Sequence, residues 1–125
     1  MNIQAFAERC GLTAHTLRYY ERIGLLGAVA RRDNGHREFG ARDVEWVEFL
    51  QRLRETGMPI REMLRYAELR HAGDSTLAQR RELLAAHATA LEAALQRQRA
   101  HLGIVRRKIA IYDEQIAQAP RRKRA

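Results

Sequence analysis

Residues 16–26 read TLRYYERIGLL, and this stretch decides how the first part of the chain is interpreted. It has helical character, yet Tyr19 and Tyr20 follow Arg18 directly. Because neighbouring residues on a helix lie about 100° apart, the two phenol rings cannot share one buried position. We therefore expect Tyr20 to brace the helix with its ring, and Tyr19 to face outward beside cationic side chains.

A second short helix precedes this one and is joined to it by a tight turn. Apolar residues recur at i, i+3, i+4 and i+7 from Ile3 to Cys10, which is the stripe of a two-turn helix. Gly11 ends that helix, and Thr13 is a suitable N-cap for the next one, which runs to about Arg22. Two short helices connected in this way predict a helix-turn-helix.

The second helix has a polar, cationic face that points away from the apolar one. Its members recur at helical spacing: His15, Arg18, Tyr19 and Arg22. Guanidinium groups and tyrosine hydroxyls suit phosphate oxygens, and arginine also reads base edges in the major groove. This face is predicted to be a DNA-binding surface.

The segment after the second helix is too rich in glycine and turn-forming residues to be helical. Within it, Asp33-Asn34-Gly35 is a strong signal for a tight turn, and basic residues lie on both sides. We predict a two-stranded hairpin over about residues 29–40. A basic hairpin next to a helix-turn-helix is a wing, able to lie along the DNA backbone or in the minor groove.

Helical periodicity returns at residue 41 and gives a second helix pair over about residues 41–72, followed by a heptad repeat over 76–118. Apolar residues of this repeat form two series with the a/d spacing of a coiled coil. A helix of roughly 40 residues is about 60 Å long, so a small domain cannot cover it and it needs a partner, most simply a second copy of itself. The predicted dimer contacts are Leu84, Leu91, Leu95, Leu102, Val105, Ile109 and Tyr112.

Composition restricts the class of protein. The chain has 125 residues, a net charge of +8 and a pI near 10.7, which favours a polyanionic partner. Residues 1–75 contain 12 arginines against 11 acidic residues, so most of the positive excess lies in residues 76–125, where the tail at 119–125 includes RRKR.

A single cysteine, Cys10, excludes a thiolate metal site built from one chain, and no cofactor is expected. With no membrane span or signal peptide, a cytoplasmic protein is predicted.

Five features follow one another along the chain: TLRYYERIGLL, GHREF at 35–39, a third helix containing Asp43-Val44, LRETGMPI at 53–60 and the terminal heptads. In this order they resemble the MerR family of bacterial transcription regulators. The resemblance covers nearly the whole chain. It implies a mainly α fold, with a winged helix-turn-helix domain (residues 1–72) followed by a long antiparallel coiled-coil dimerisation helix. It also implies a homodimer that binds a pseudo-palindromic promoter and distorts it, so that RNA polymerase engages promoter elements that are spaced too far apart.

The resemblance implies DNA-binding roles for particular residues. Arg18, Tyr19 and Tyr20 match the family's contacts on the second helix. His36 and Arg37 match its wing contacts, although the first position is more often tyrosine, and Arg61 falls where the second wing presents a basic residue. With Thr13 and His15 at the start of the second helix, the predicted DNA-binding residues are Thr13, His15, Arg18, Tyr19, Tyr20, His36, Arg37 and Arg61.

The regulatory signal is the least determined feature. Metal-sensing members use cysteines that this chain lacks, and a cysteine that some members carry in the third helix is absent around residues 51–53. We interpret Cys10 as a core residue and expect no dependence on a reactive thiol. The candidate effector region lies around Trp46, Tyr66 and the dimer helix; output set by protein abundance alone is the other option.

Other functional classes differ in the sequence features that they require. The sequence has no nucleophile–base pair, phosphate loop or supported carboxylate pair, so we do not expect an enzyme. An architectural protein that bends DNA without a dedicated promoter stays open as an alternative. So does a coiled-coil adaptor whose charge binds another protein.

Overall fold

A computed structural model describes residues 1–27, 35 and 37–124 of the chain, with side chains up to residue 119. In these residues the regular structure is helical, which confirms the mainly α prediction. The helices are α1 (Ile3–Cys10), α2 (Ala14–Arg22), α3 (Ala41–Glu55), α4 (Ile60–His71) and α5 (Leu77–Arg124), with a 3-10 turn at Asp74–Thr76. The chain forms two compact units, Met1–His87 and Ala88–Ala125, and α5 contributes to both.

The hairpin predicted for residues 29–40 falls mostly outside the described residues, and so do Arg31, Arg32 and His36. The helix predicted to end near residue 118 continues to Arg124, so the backbone of residues 119–124 is helical. The predicted domain limits at residues 72 and 76 stay a prediction.

The helix-turn-helix is fixed by caps that can be read in the sequence. The Asn2 side chain accepts a hydrogen bond of 2.9 Å from the Ala5 amide and begins α1. Gly11 ends α1 with a φ of 69°, a left-handed conformation that favours glycine. Thr13 Oγ1 accepts a hydrogen bond of 3.1 Å from the Thr16 amide, and this cap begins α2 two residues after the turn. The tight turn is therefore encoded locally.

The core of the first unit forms where the buried sides of α1, α2, α3 and α4 converge. Phe6 stacks on Phe39 with ring centroids 4.3 Å apart. The indole Nε1 of Trp46 donates a 2.7 Å hydrogen bond to the Leu25 carbonyl and so satisfies a buried polar group. The largest fully buried side chains are Phe6, Leu17, Leu25, Phe39, Val47, Leu50 and Met63. This core holds α2 in a fixed rotation.

Cys10 belongs to this core and is 8% exposed. Burial, with a smaller contribution from the Glu48 carboxylate, raises the pKa of the Cys10 thiol. A buried thiol with a raised pKa is a poor nucleophile. Its surroundings are those of a packing residue.

The second unit consists of α5 from residue 88 onward, and its large apolar side chains are exposed. Their exposed fractions run from 46% for Leu102 to 68% for Ile116. The set comprises Leu95, Leu102, Ile104, Val105, Ile109, Ile111, Tyr112 and Ile116. Of the other predicted dimer residues, Leu84 packs against the core of the first unit and Leu91 is half-buried.

None of the helices in the described part of the chain combines the length and apolarity needed to cross a membrane. In residues 1–27, 35 and 37–124, no three histidine, cysteine, aspartate or glutamate side chains group closely enough to hold a metal ion.

Candidate nucleic-acid interface

The exposed face of α2 is the centre of the candidate interface. His15, Arg18 and Tyr19 are all exposed on the side opposite the buried Leu17. The guanidinium carbon of Arg22 lies 5.6 Å from the centroid of the Tyr19 ring, a cation–π contact that joins two members of the face. Because α2 begins at a side-chain cap and is packed along its inner side, these residues project from a rigid support.

Thr13 lies at the exposed start of α2, and its hydroxyl already has a structural role. Its Oγ1 caps the Thr16 amide and lies 3.0 Å from Thr16 Oγ1. Its assignment as a DNA contact stays a prediction.

Tyr20 differs from Tyr19 in its surroundings. Its ring is 3% exposed, and its hydroxyl oxygen accepts a 2.8 Å hydrogen bond from Nη1 of Arg54 near the end of α3. The oxygen acts as the acceptor here, so the hydroxyl hydrogen is left to donate elsewhere. A DNA contact by Tyr20 would therefore use the hydroxyl alone, beside the charge of Arg54.

A cleft of about 410 Å³ opens beside this pair, between α2 and the turn that connects α3 to α4. It combines one cation and three hydroxyls with an apolar wall. Its lining residues are Thr16, Tyr19, Tyr20, Arg54, Met58, Ile60 and Met63. Sequence reasoning missed Arg54, because it lies 34 residues from Tyr20 and no local pattern pairs them.

Arg37, the described member of the two predicted wing contacts, is attached to α2. Its Nε lies 2.5 Å from Oε2 of Glu21, and the two side chains are 31% and 20% exposed. A half-buried ion pair has less water to screen it than a surface pair. This pair holds the Arg37 guanidinium beside α2, and sequence reasoning did not anticipate it.

The start of α4 supplies the predicted second-wing residue. Pro59 occupies the N-cap, so the helix begins at Ile60, and Arg61 is exposed in the first turn. The partial positive charge of a helix N-terminus adds to that of the guanidinium and favours an anion there. Ile60 also lines the cleft beside α2, so this helix start borders the α2 surface.

The predicted effector region brings its two aromatic residues together. The rings of Trp46 on α3 and Tyr66 on α4 stack with centroids 5.5 Å apart and an interplanar angle of 17°. The Trp46 side chain is buried and Tyr66 is half-buried. Neither residue lines the cleft beside α2.

Comparison with known proteins agrees with this architecture. Residues 1–70 match the family model described as MerR HTH family regulatory protein. The HTH-type transcriptional regulator AdhR of Bacillus subtilis (strain 168) is 44% identical over 85 residues, which is 68% of this chain and 61% of that regulator. The match thus spans less than two thirds of that relative's own length.

Solved structures with the same fold cover more of the chain. A putative MerR family transcriptional regulator from Listeria monocytogenes has a TM-score of 0.86 and 36% identity, covering 90% of this chain and 86% of that one. HiNmlR, a MerR family regulator lacking the sensor domain and bound to promoter DNA, has a TM-score of 0.82 and 32% identity, covering 90% of both chains. Because the family model spans more than half of the sequence and includes the whole helix-turn-helix, this chain belongs to the MerR family of helix-turn-helix regulatory proteins.

Proposed function

We propose that this chain is a sequence-specific DNA-binding regulator of transcription that acts as a homodimer and has no enzymatic activity. The observation that carries the proposal is the exposed Arg18–Tyr19 face of α2, held on a helix-turn-helix of the MerR family. The DNA-bound relative, similar over 90% of both chains, supports a promoter as the partner. The first 75 residues are nearly neutral overall, so their net charge does not account for DNA binding. Binding would instead depend on individual arginines held in position by the helix-turn-helix.

Sequence specificity would come chiefly from Arg18. A guanidinium projecting from a recognition helix makes paired hydrogen bonds to guanine O6 and N7 in the major groove. Four of the remaining predicted contacts suit phosphate: the hydroxyls of Tyr19 and Tyr20, and the charges of Arg37 and Arg61. Arg54 joins this phosphate set because it shares the Tyr20 hydroxyl.

The uncovered apolar residues of α5 support dimerisation. Fully burying one such side chain contributes about 1.5–3 kcal/mol. Six of the exposed apolar residues belong to the a/d seam: Leu95, Leu102, Val105, Ile109, Tyr112 and Ile116. A second copy of α5, antiparallel to the first, is the simplest cover and gives a symmetric interface. Two recognition helices related by a two-fold axis match a pseudo-palindrome.

Control of transcription would then depend on DNA shape. A dimer with two fixed helix-turn-helix units bends or undertwists DNA when its recognition helices do not match the spacing of straight half-sites, and the contacts that it gains offset the deformation energy. RNA polymerase would be affected indirectly, through promoter elements brought into register. This step rests on the family resemblance.

The Glu21–Arg37 ion pair has an electrostatic consequence for DNA binding. Glu21 places a carboxylate beside a guanidinium that is expected to meet phosphate, so it weakens the local positive potential. It also holds that guanidinium against α2. The two effects oppose each other and can be separated by substitution.

The first prediction concerns base readout. Arg18→Ala should lower affinity for the specific site by about 1–3 kcal/mol per half-site, because each lost base contact is of that size. The matched control is Arg65→Ala, which removes the same charge from α4, where Arg65 pairs with Glu68 at the surface. Binding isotherms on specific and random duplexes measure both. An unchanged ratio of specific to random affinity in Arg18→Ala would favour an architectural protein, and unchanged binding to both would favour an adaptor.

The second prediction concerns the ion pair. Arg37→Gln should weaken binding to specific and random DNA alike and reduce the slope of log K against log salt by about 2 for the dimer, as expected for one lost phosphate contact in each protomer. Glu21→Gln should strengthen binding at low salt, because it removes a carboxylate and keeps Arg37. If both variants weaken binding with unchanged salt slopes, the pair is structural and Arg37 does not contact phosphate.

The third prediction concerns the dimer. Leu95→Glu combined with Leu102→Glu places two carboxylates in the seam and should yield monomers by sedimentation. The matched control is Ile104→Glu combined with Ile111→Glu, because these exposed isoleucines lie two residues after the seam residues Leu102 and Ile109 and outside the a/d seam. An intact dimer in the seam variant, or equal dissociation in both, would contradict the proposed interface.

A further inference from the structure

An open groove of about 420 Å³ on the first unit is not used by the DNA interface. It lies where α3, α4 and the start of α5 meet. Its lining residues are Arg42, Glu45, Trp46, Phe49, Tyr66, Arg70 and Arg80, and we call it the aromatic groove. It combines aromatic walls with three guanidinium groups and one carboxylate.

The walls of the aromatic groove are partly open to water. Phe49 is 37% exposed, and its ring centroid lies 5.9 Å from that of Tyr66, which in turn stacks on Trp46. Aromatic rings arranged in this way offer flat faces and edges to a further ring. Leaving such area exposed is unfavourable, and a ligand with a flat apolar body would cover it.

The rim of the groove is cationic. The guanidinium carbon of Arg70 lies 4.1 Å from the centroid of the Trp46 ring, so this charge sits on an aromatic face. Arg80 is anchored through Nε to Thr76 Oγ1 (3.1 Å) and through Nη2 to the Gly73 carbonyl (3.2 Å). Both anchors leave Nη1 of Arg80 available to an oxygen ligand.

In the part of the chain that the structure describes, the guanidinium groups of the groove outnumber its carboxylate by three to one. There, no ion pair links Arg42, Arg70 or Arg80 to a carboxylate, and Glu45 is the only acidic residue lining the groove. Three guanidinium groups around one cavity repel one another and any cationic ligand. A carboxylate relieves that repulsion and pairs with guanidinium in a bidentate geometry.

We propose that the aromatic groove is a binding site for small carboxylates with a flat apolar body, such as aromatic acids. The apolar part would lie against Phe49 and Tyr66, and the carboxylate would meet Arg70 and Arg80 with Arg42 at the rim. A phosphodiester lacks the apolar part, and a neutral aromatic compound lacks the charge. The chemistry of the groove therefore selects ligands that have both.

Occupation of the groove would affect the proposed regulator through the helices that line it. A ligand held between α3, α4 and Arg80 of α5 touches the same α3 and α4 that carry Arg54 and Arg61 at the DNA interface. If two states of the dimer differ in the shape of the groove, the ligand binds one state more tightly. It then shifts the populations toward that state, to an extent set by the ratio of its two affinities. This consequence rests on the proposed function, whereas binding of the ligand does not.

The test uses Trp46, the only tryptophan in the chain, as a reporter inside the site. Benzoate is titrated into the full chain while indole emission is followed, with isothermal calorimetry as a second readout. Acetate supplies the charge without the ring, and benzyl alcohol supplies the ring without the charge. We expect saturable benzoate binding with a Kd on the order of 1 mM, as is reasonable for so small a ligand, and at least tenfold weaker binding of the other two.

Variants connect the signal to the groove. Arg70→Gln and, at the exposed rim, Arg42→Gln should each weaken benzoate binding several-fold, whereas Arg65→Gln on α4 should not. Because Arg42 is exposed, its substitution tests the site even if the loss of Arg70 disturbs packing against Trp46. No saturation by benzoate, equal binding of benzyl alcohol, or unchanged affinity in both rim variants would overturn the proposal.

A DNA titration with and without benzoate separates this inference from the proposed function. Benzoate binding together with an altered DNA affinity supports both the site and an effector role. Benzoate binding with unchanged DNA affinity retains the site and refutes the effector role. Absence of any DNA binding refutes the proposed function and leaves the calorimetric result on the groove unaffected.

Discussion

The rotation of α2 about its own axis is the constraint on which the rest of the interface depends. Leu17 and Tyr20 must lie inside, and both are almost fully buried. Because successive residues turn by about 100°, burying these two directs Arg18 and Tyr19 to solvent. The helix has nine residues, so a rotation of one position would expose an apolar side chain and bury a guanidinium at high cost. Core packing thus directs to solvent the side chains that are proposed to meet DNA.

The positions of individual arginines also depend on packing. The first 75 residues are close to electrically neutral, yet they contain all the residues proposed to meet DNA. Individual guanidinium groups are positioned by fixed partners: Arg37 by Glu21, Arg54 by the Tyr20 hydroxyl and Arg70 by the Trp46 ring. The larger positive excess lies in residues 76–125, where it adds a general attraction to polyanions.

Local chemistry made much of this fold predictable. The Thr13 cap, the glycine at the end of α1 and the a/d spacing of α5 are short-range signals, and the helix-turn-helix and long helix they predict are present. The contacts that sequence reasoning missed join distant segments. Arg54 reaches Tyr20 across 34 residues, and Arg70 covers Trp46 from the next helix. Such contacts follow from how helices pack, which no periodicity in one segment encodes.

The central claim is that a symmetric pair of α2 helices reads a specific promoter sequence. The most direct test is selection of genomic fragments by the purified chain, followed by footprinting of the enriched DNA. We expect one family of inverted repeats, with two protected half-sites related by two-fold symmetry. Enrichment of no sequence above background, or protection of a single site without two-fold symmetry, would contradict it.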